Sequence, residues 1–212
     1  VTRFAYAGDR QVAVDCLAFL IRSGAEPEAL LVSSPGRATH DEALRELAGL
    51  DPGRVLVGSQ FREPGGIELL RSLDLDYIIG VHFPYILPDA VLEIPRIGAV
   101  NLHPAYLPFN RGWHTPSWAI LEQTPAGATL HFMDSGLDTG DIVAQTLVEI
   151  RPQDTADTLY RRLLDAEVRL FEESWPLLDS GNPPRRKQSP EEGTSHARND
   201  LAAAAVQKLD LD

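Results

Sequence analysis

Short apolar runs alternate with amphipathic stretches through the first half of the chain. Arg3 to Ala7, Leu30 to Ser33, Val55 to Val57 and Tyr77 to Phe83 have the length and apolar content of buried strands. The segments between them predict helices. One runs from Gln11 to Arg22 after a Gly8-Asp9 turn. A second ends near Ala48, with Thr39 and Glu42 at capping-box spacing. Gly66 to Ser72 and Pro88 to Leu92 predict two more, the latter short. Gly98 to Leu102 predicts another strand, and Thr115 to Glu122 a helix with Thr115 as N-cap and Pro116 at its first position. Such alternation specifies a Rossmann-like α/β fold, a mostly parallel sheet flanked by helices.

The periodicity then changes. Ala128 to Met133 and Ile142 to Ile150 read as strands joined by the loop Asp134 to Asp141. Asp154 to Leu178 is a long amphipathic helix whose inner face carries Leu159, Leu163, Ala166, Leu170 and Ser174. A polar tail from Asp179 to Asn199 follows, and a short alanine-rich helix near Leu201 to Lys208 closes the chain. We therefore expect a catalytic core over residues 1–150. A C-terminal strand-helix extension over 151–212 should pack on that core or on a second subunit. Apolar residues in the long helix and last strand point to a homodimer.

Composition narrows the function classes. The 212 residues are 43% hydrophobic and 24% charged, enough for one sizeable core. A net charge of −12 opposes binding to a phosphate backbone, so no nucleic-acid partner is expected. The basic cluster Arg185-Arg186-Lys187 is expected to be a solvated loop, with a phosphate or subunit contact as the alternative. The single cysteine, Cys16, excludes an internal disulfide and suits a reducing compartment. The apolar stretch Val12 to Ile21 is interrupted by Asp15 and is too short to span a bilayer, so a soluble, cytoplasmic protein without a membrane partner is expected. The first turn, Ala7-Gly8-Asp9-Arg10, lacks a dinucleotide fingerprint, and no Gly-Lys-Ser/Thr phosphate loop occurs.

Candidate chemistry concentrates in Asn101-Leu102-His103-Pro104-Ala105-Tyr106-Leu107-Pro108. Positions i and i+2 of a strand share a face, so Asn101 and His103 should aim into one cleft at a carboxyl strand end, where ligands bind in such sheets. An amide can donate to a carbonyl oxygen gaining charge, and a neutral imidazole can take a proton. Leu137-Asp138-Thr139-Gly140-Asp141 adds a carboxylate that could orient the imidazole, bind water or shuttle a proton. No Ser or Cys nucleophile accompanies them, which implies direct acyl-type transfer or hydrolysis. Competing readings exist: Asn101 could cap a turn and His103 satisfy a core carbonyl. A zinc site from His103, His114, His131 and Asp138 is weaker, because the spacing matches no helical His pair; no metal is expected. His131 reads as a strand residue at the cleft edge or a satisfied histidine, His40 as surface, and His196 has no partner that the chain order can name.

NLHPAYLP, RGWHTPSWAI and ATLHFMDSGLDTGDIVAQ together resemble the folate-dependent formyltransferases. That family includes glycinamide ribonucleotide, methionyl-tRNA and sugar N-formyltransferases. The resemblance spans about Tyr77 to Ile150 and fills the family's catalytic positions with Asn101, His103 and Asp138. It implies transfer from 10-formyltetrahydrofolate to an amine. His103 would be the base, Asn101 would hold the formyl oxygen, and Asp138 would tune His103 or manage protons. Folate would lie against the loop Val81 to Leu87, with His82, Phe83, Tyr85, Ile86 and Leu87. Met133, Asp134 and Leu137 would form the other wall. Arg111-Gly112-Trp113-His114 and the stretch from Gly193 to Leu201, with Lys208 to Asp212, are most similar to sugar N-formyltransferases acting on nucleotide-linked 4-amino-deoxysugars. Tyr106, Arg111, Trp113 and His114 are thus candidates for contacts to a nucleotide sugar; packing under the loop is the alternative for Tyr106 and Trp113, and a neighbouring carboxylate for Arg111. The tRNA-directed relatives carry an additional barrel domain that a short polar tail cannot supply, which with the acidic balance argues against tRNA. Ala7 to Gln11 is a poor version of the glycine-rich phosphate stretch of the glycinamide ribonucleotide enzymes. A formyl-folate hydrolase and a folate-binding module without turnover remain alternatives.

Overall fold

A computed structural model describes residues 2–189 and 191–203. In chain order the strands are β1 (Phe4–Gly8), β2 (Ala29–Val32), β3 (Val55–Val57), β4 (Tyr77–Val81), β5 (Gly98–His103), β6 (Arg111–Gly112), β7 (Ala126–Phe132), β8 (Ile142–Val148) and β9 (Ser195–His196). The helices are α1 (Arg10–Arg22), α2 (Asp41–Ala48), α3 (Pro64–Ser72), α4 (Asp89–Leu92), α5 (Thr115–Glu122) and α6 (Ala156–Asp179). Seven strands form one sheet in the order β3-β2-β1-β4-β5-β7-β8. The first five are mutually parallel; β7 pairs antiparallel with β5, and β8 antiparallel with β7. The fold is the Rossmann-like, mostly parallel sheet expected from the alternation.

Both faces of the sheet are covered, as parallel strands require. Phe4 and Tyr6 pack with Leu17 and Leu20 of α1 and with Phe171 and Trp175 of α6. Ala5, Ala7, Leu31 and Ile78 face the other way, against Leu70 of α3 and Val91 of α4. The near-continuous apolar sequence of β1, β2 and β4 follows from burial on both sides. Strand order reverses between β1 and β4, and the Asp9 N–H donates to the Val81 carbonyl at 3.2 Å across that switch point. Among the described residues no helix is long and apolar enough to cross a membrane.

Several local expectations are corrected. Thr39 and Glu42 form no capping box: α2 starts after His40, without a side-chain cap. Thr39 instead donates its backbone N–H (3.0 Å) and its hydroxyl (2.7 Å) to the Asp9 carboxylate, because a charged acceptor binds a donor more strongly than a neutral one. The N-cap of α5 is His114, in a left-handed conformation, and Thr115 sends its hydroxyl to the Pro104 carbonyl at 2.6 Å. A reciprocal capping box does exist at Thr155 and Thr158, where α6 begins. β4 stops at Val81 rather than Phe83, since His82 turns to φ 53°.

The basic cluster is not simply a solvated loop. The Arg185 guanidinium lies 3.5 Å from the centre of the Phe132 ring and donates to the Ile97 carbonyl at 2.7 Å. Arg186 exchanges backbone hydrogen bonds with Ile142, and its side chain reaches Gln145. The tail that follows contains β9, which pairs in parallel with β6 through Arg111↔Ser195 and Gly112↔His196. Most of the alanine-rich helix expected near Leu201 to Lys208, and the Lys208 to Asp212 stretch, lie outside the described residues.

Candidate active site

Asn101 and His103 occupy the last turns of β5, on one face, as their spacing requires. Antiparallel pairing sets Asn101 opposite His131 of β7, and His103 opposite Thr129. On the other side Asn101 is level with Gly80 of β4. A Cβ at Gly80 would stand 2.9 Å from Met133 Cε and 3.2 Å from Asn101 Oδ1, so glycine leaves the room these side chains fill.

The chain beyond His103 is pinned by polar contacts. The Thr129 hydroxyl donates to the Ala105 carbonyl at 2.6 Å and accepts the Leu107 N–H at 3.2 Å. Gln145 donates to the Leu107 carbonyl at 2.6 Å. With Thr115 on the Pro104 carbonyl, this irregular segment has its buried backbone acceptors satisfied, which fixes where β5 ends.

Asp138 enters from the loop between β7 and β8. It sits at φ 53°, and its Oδ2 accepts the Gly112 N–H at 2.9 Å. The same oxygen lies 3.6 Å from His103 Nε2, and Oδ1 lies 3.5 Å from His131 Nε2. His131 is 1% exposed. Its Nδ1 is 2.7 Å from the Phe132 carbonyl and so carries a proton, which leaves Nε2 facing both Asp138 and the Asn101 amide, 3.4 Å away. Amide, imidazole and carboxylate thus meet at one end of the sheet, with a second imidazole behind them. His131 was not assigned a role from the sequence; the available signal was a lone imidazole in an otherwise apolar strand, just before the aspartate loop.

Electrostatics divide the roles. Burial pushes the His103 imidazole below its ordinary pKa, and the Asp138 carboxylate only partly opposes this. His103 is therefore neutral at pH 7. Burial alone would raise the Asp138 carboxyl, but the two imidazoles and the Gly112 N–H hold it well below the carboxylate range. A neutral base next to a fixed anion can take a proton and have the resulting cation stabilised.

The expected folate loop follows β4. Phe83 and Tyr85 pack against each other and against Phe61, with ring centres 5.0 to 6.1 Å apart. The Tyr85 hydroxyl meets the Ser34 hydroxyl at 3.0 Å, and Leu87 is buried in the core. These three side chains anchor the loop. Ile86 is 79% exposed, and the backbone N–H groups of Tyr85, Ile86 and Leu87 donate to no other described residue. His82 does not present its ring to the loop. Its Nε2 contacts both oxygens of Glu167, at 2.8 and 2.9 Å, and Glu167 lies in α6 with 0% exposure. That pair escaped the sequence reading because nothing in chain order joins β4 to α6.

On the opposite wall Met133 is half-buried against the core and Leu137 is exposed. Asp134 caps its own loop, accepting the Gly136 N–H and the Thr139 hydroxyl. Among the residues expected to meet an acceptor, Trp113 is 40% exposed, with the Arg198 guanidinium 5.2 Å from its ring centre. Tyr106 is half-buried beside Gly127. His114 directs Nε2 to the Arg198 carbonyl at 3.1 Å. Arg111 is buried and among the described residues meets no carboxylate: Nε and Nη2 donate to Gln188 Oε1. His196, without an assigned partner in the sequence, stacks on Trp118 with ring centres 3.9 Å apart. Among the described residues no group of three or more His, Cys, Asp or Glu is arranged to hold a metal ion.

Residues 36–174 match the formyl transferase family. The methionyl-tRNA formyltransferase of Clostridioides difficile (strain 630) is 31% identical over 196 residues, covering 90% of this chain and 63% of that protein. The chain thus spans less than two thirds of this curated relative's length. The formyltransferase PseJ from Anoxybacillus kamchatkensis, in complex with UDP-4,6-dideoxy-4-formamido-L-AltNAc and tetrahydrofolate, superposes with a TM-score of 0.69 at 28% identity, covering 97% of this chain and 90% of that one. A sugar N-formyltransferase from Shewanella sp FDAARGOS_354 superposes with a TM-score of 0.79 at 21% identity, over 95% and 79% of the two chains.

Proposed function

The chain belongs to the formyl transferase family, and on that premise we propose that it moves a formyl group from 10-formyltetrahydrofolate to the amine of a nucleotide-linked amino sugar. The observation that carries the reading is the apposition of a neutral His103 to the Asp138 carboxylate beside the Asn101 amide. His103 takes a proton from the attacking amine, and Asp138 stabilises the imidazolium that results. Asn101 donates to the formyl oxygen as it gains negative charge. Folate supplies the formyl carbon bound to nitrogen; the proton held at His103 returns to that nitrogen as the bond breaks. The N–H groups of Tyr85, Ile86 and Leu87, which meet no acceptor among the described residues, suit the polar edge of a pterin, and the exposed Ile86 and Leu137 suit its faces.

An amino-sugar acceptor is supported by the Trp113 face beside Arg198 and by the likeness to a structure holding a UDP-linked formamido sugar and tetrahydrofolate. The identity to methionyl-tRNA formyltransferases favours a second reading, methionyl-tRNA as acceptor. The net charge of −12 weighs against it, since each tRNA phosphate near the surface meets an acidic field.

One assay separates these. Purified protein is mixed with 10-formyltetrahydrofolate and, in turn, nucleotide-linked amino sugars, glycinamide ribonucleotide, methionyl-tRNA or no amine, and tetrahydrofolate release is followed. Release only with an amino sugar is expected. Release only with methionyl-tRNA or glycinamide ribonucleotide overturns the acceptor assignment, release without amine makes the protein a hydrolase, and folate binding without release makes it a binding module.

A further inference from the structure

The side chain of Gln188 joins three segments that are distant in sequence. Its Nε2 donates to the carbonyls of Asp138 (2.8 Å) and Gly140 (2.7 Å). Its Oε1 accepts from Arg111 Nε (3.1 Å) and Nη2 (2.8 Å). A primary amide offers two donors and two lone pairs, and all four are used. The neighbours it serves need such a partner. Asp138 is a non-glycine residue at φ 53°, a conformation that persists only where surroundings impose it. Arg111 is buried, and a buried guanidinium left without acceptors is costly.

Two anchors therefore fix Asp138, one on its carbonyl and one on its carboxylate. The carboxylate anchor is the N–H of Gly112, next to Arg111 in β6. β6 is in turn held by β9, at the end of the same strap that carries Gln188: Arg111 N–H donates to the Thr194 carbonyl, and Trp113 N–H to the His196 carbonyl, each at 3.0 Å. Gly112 permits this closeness, since at φ 90° a Cβ there would stand 2.4 Å from the His196 carbonyl oxygen. Strap, β6 and aspartate loop thus close into one ring of hydrogen bonds with Gln188 at its junction. The ring's output is the separation of the Asp138 oxygens from His103 and His131, 3.6 and 3.5 Å.

We propose that Gln188 is a positioning residue for the Asp138 carboxylate, acting from outside the cleft through the backbone of the aspartate loop, with Arg111 as its brace rather than as a ligand of the substrate's phosphates. The proposal rests on the reading of Asp138 as the partner of a catalytic His103. Misplacing such a group by about 1 Å can cost about a hundredfold in rate.

Two substitutions test it. Gln188→Glu keeps an acceptor for Arg111, so the strap stays docked, but replaces the amide donors with an oxygen that repels the two carbonyls. Gln188→Met removes both functions without adding charge. In either variant we expect kcat to fall about tenfold or more, with KM for 10-formyltetrahydrofolate within about twofold of the parent. In Gln188→Met the His103 imidazole, titrated by NMR, should show a midpoint lowered by about half a unit or more. His103 is faced by Asp138 and His131, and from α6 by Glu167, and only the first is displaced by the substitution. A purely structural role would lower the folded fraction while leaving both the midpoint and the kcat of folded enzyme in place, and that result overturns the proposal. If Gln188→Met does not fold, the kcat of Gln188→Glu decides. If the parent transfers no formyl group to any amine, the functional reading has failed and the NMR midpoint alone decides this one.

Discussion

His103 is useful as a base because two influences on it oppose each other, with burial the larger. Burial lowers its pKa, Asp138 raises it, and the net displacement is downward. The imidazole is then uncharged at neutral pH yet gains a stabilising anion when it takes a proton. The sign of the pH dependence follows. Protonation removes the base, so kcat/KM should fall on the acid side with a midpoint below the ordinary histidine value. His103→Ala should abolish that limb and lower kcat about a hundredfold or more; unchanged turnover would remove the base assignment. The pair Asn101 and His103 was legible in the sequence because period-two geometry puts both on one face whatever the rest of the fold does. His131 was not, because its place opposite Asn101 depends on the register of β5 against β7.

Elements meet the site through contacts that chain order hides. α6 delivers Glu167 to His82, at the point where β4 turns toward the candidate folate loop. A carboxylate at 0% exposure needs a partner, and among the described residues His82 supplies its hydrogen bonds. Glu167→Ala leaves the imidazole facing a void and should cost about 3 kcal/mol. That corresponds to a lowering of Tm by roughly 6–12 °C for a domain of this size. Glu167→Gln keeps an acceptor and should recover most of the loss. Thermal unfolding of the two variants checks this, and an alanine variant within about 1 kcal/mol of the parent would deny the pair a structural role. The helix was legible from its apolar face, on which Leu159, Leu163, Ala166 and Leu170 recur; the position at Glu167 carried no sign of burial, since a glutamate beside that face reads as solvated.

Across the molecule, four carboxylates among the described residues are held below the ordinary range: Asp9 at the N-terminus of α1, Asp76 beside Arg96, Asp138 in the site, and Asp154 just before α6. Burial opposes ionisation in each; hydrogen bonds outweigh it at Asp9, and hydrogen bonds together with neighbouring cations outweigh it at Asp76, Asp138 and Asp154. The linkage has a definite sign. As pH falls through about 4, the unfolded chain binds protons at these groups before the folded one does. Their contribution is therefore complete above that pH and lost below it. Urea unfolding should show a free energy that declines in two stages as pH falls, first from about pH 7 through the depressed imidazole of His103 and then from about pH 5 through these carboxylates; constant stability from about pH 5 to about pH 3 would mean that these carboxylates are not preferentially ionised in the native state.

Local chemistry along the chain was enough to specify the strand-helix alternation, the parallel sheet, and the amide, imidazole and carboxylate at its carboxyl edge. Each of these depends on side-chain period, on turn residues or on a short contiguous motif. Which groups stand behind them was settled by long-range closure. Register brought His131 to Asn101, α6 brought Glu167 to His82, and a tail that reads as polar returned to pair with β6, turning Arg111 inward and holding Asp138 through Gln188. Those contacts join residues far apart in the chain, and their energy exists only once the backbone between them has been ordered.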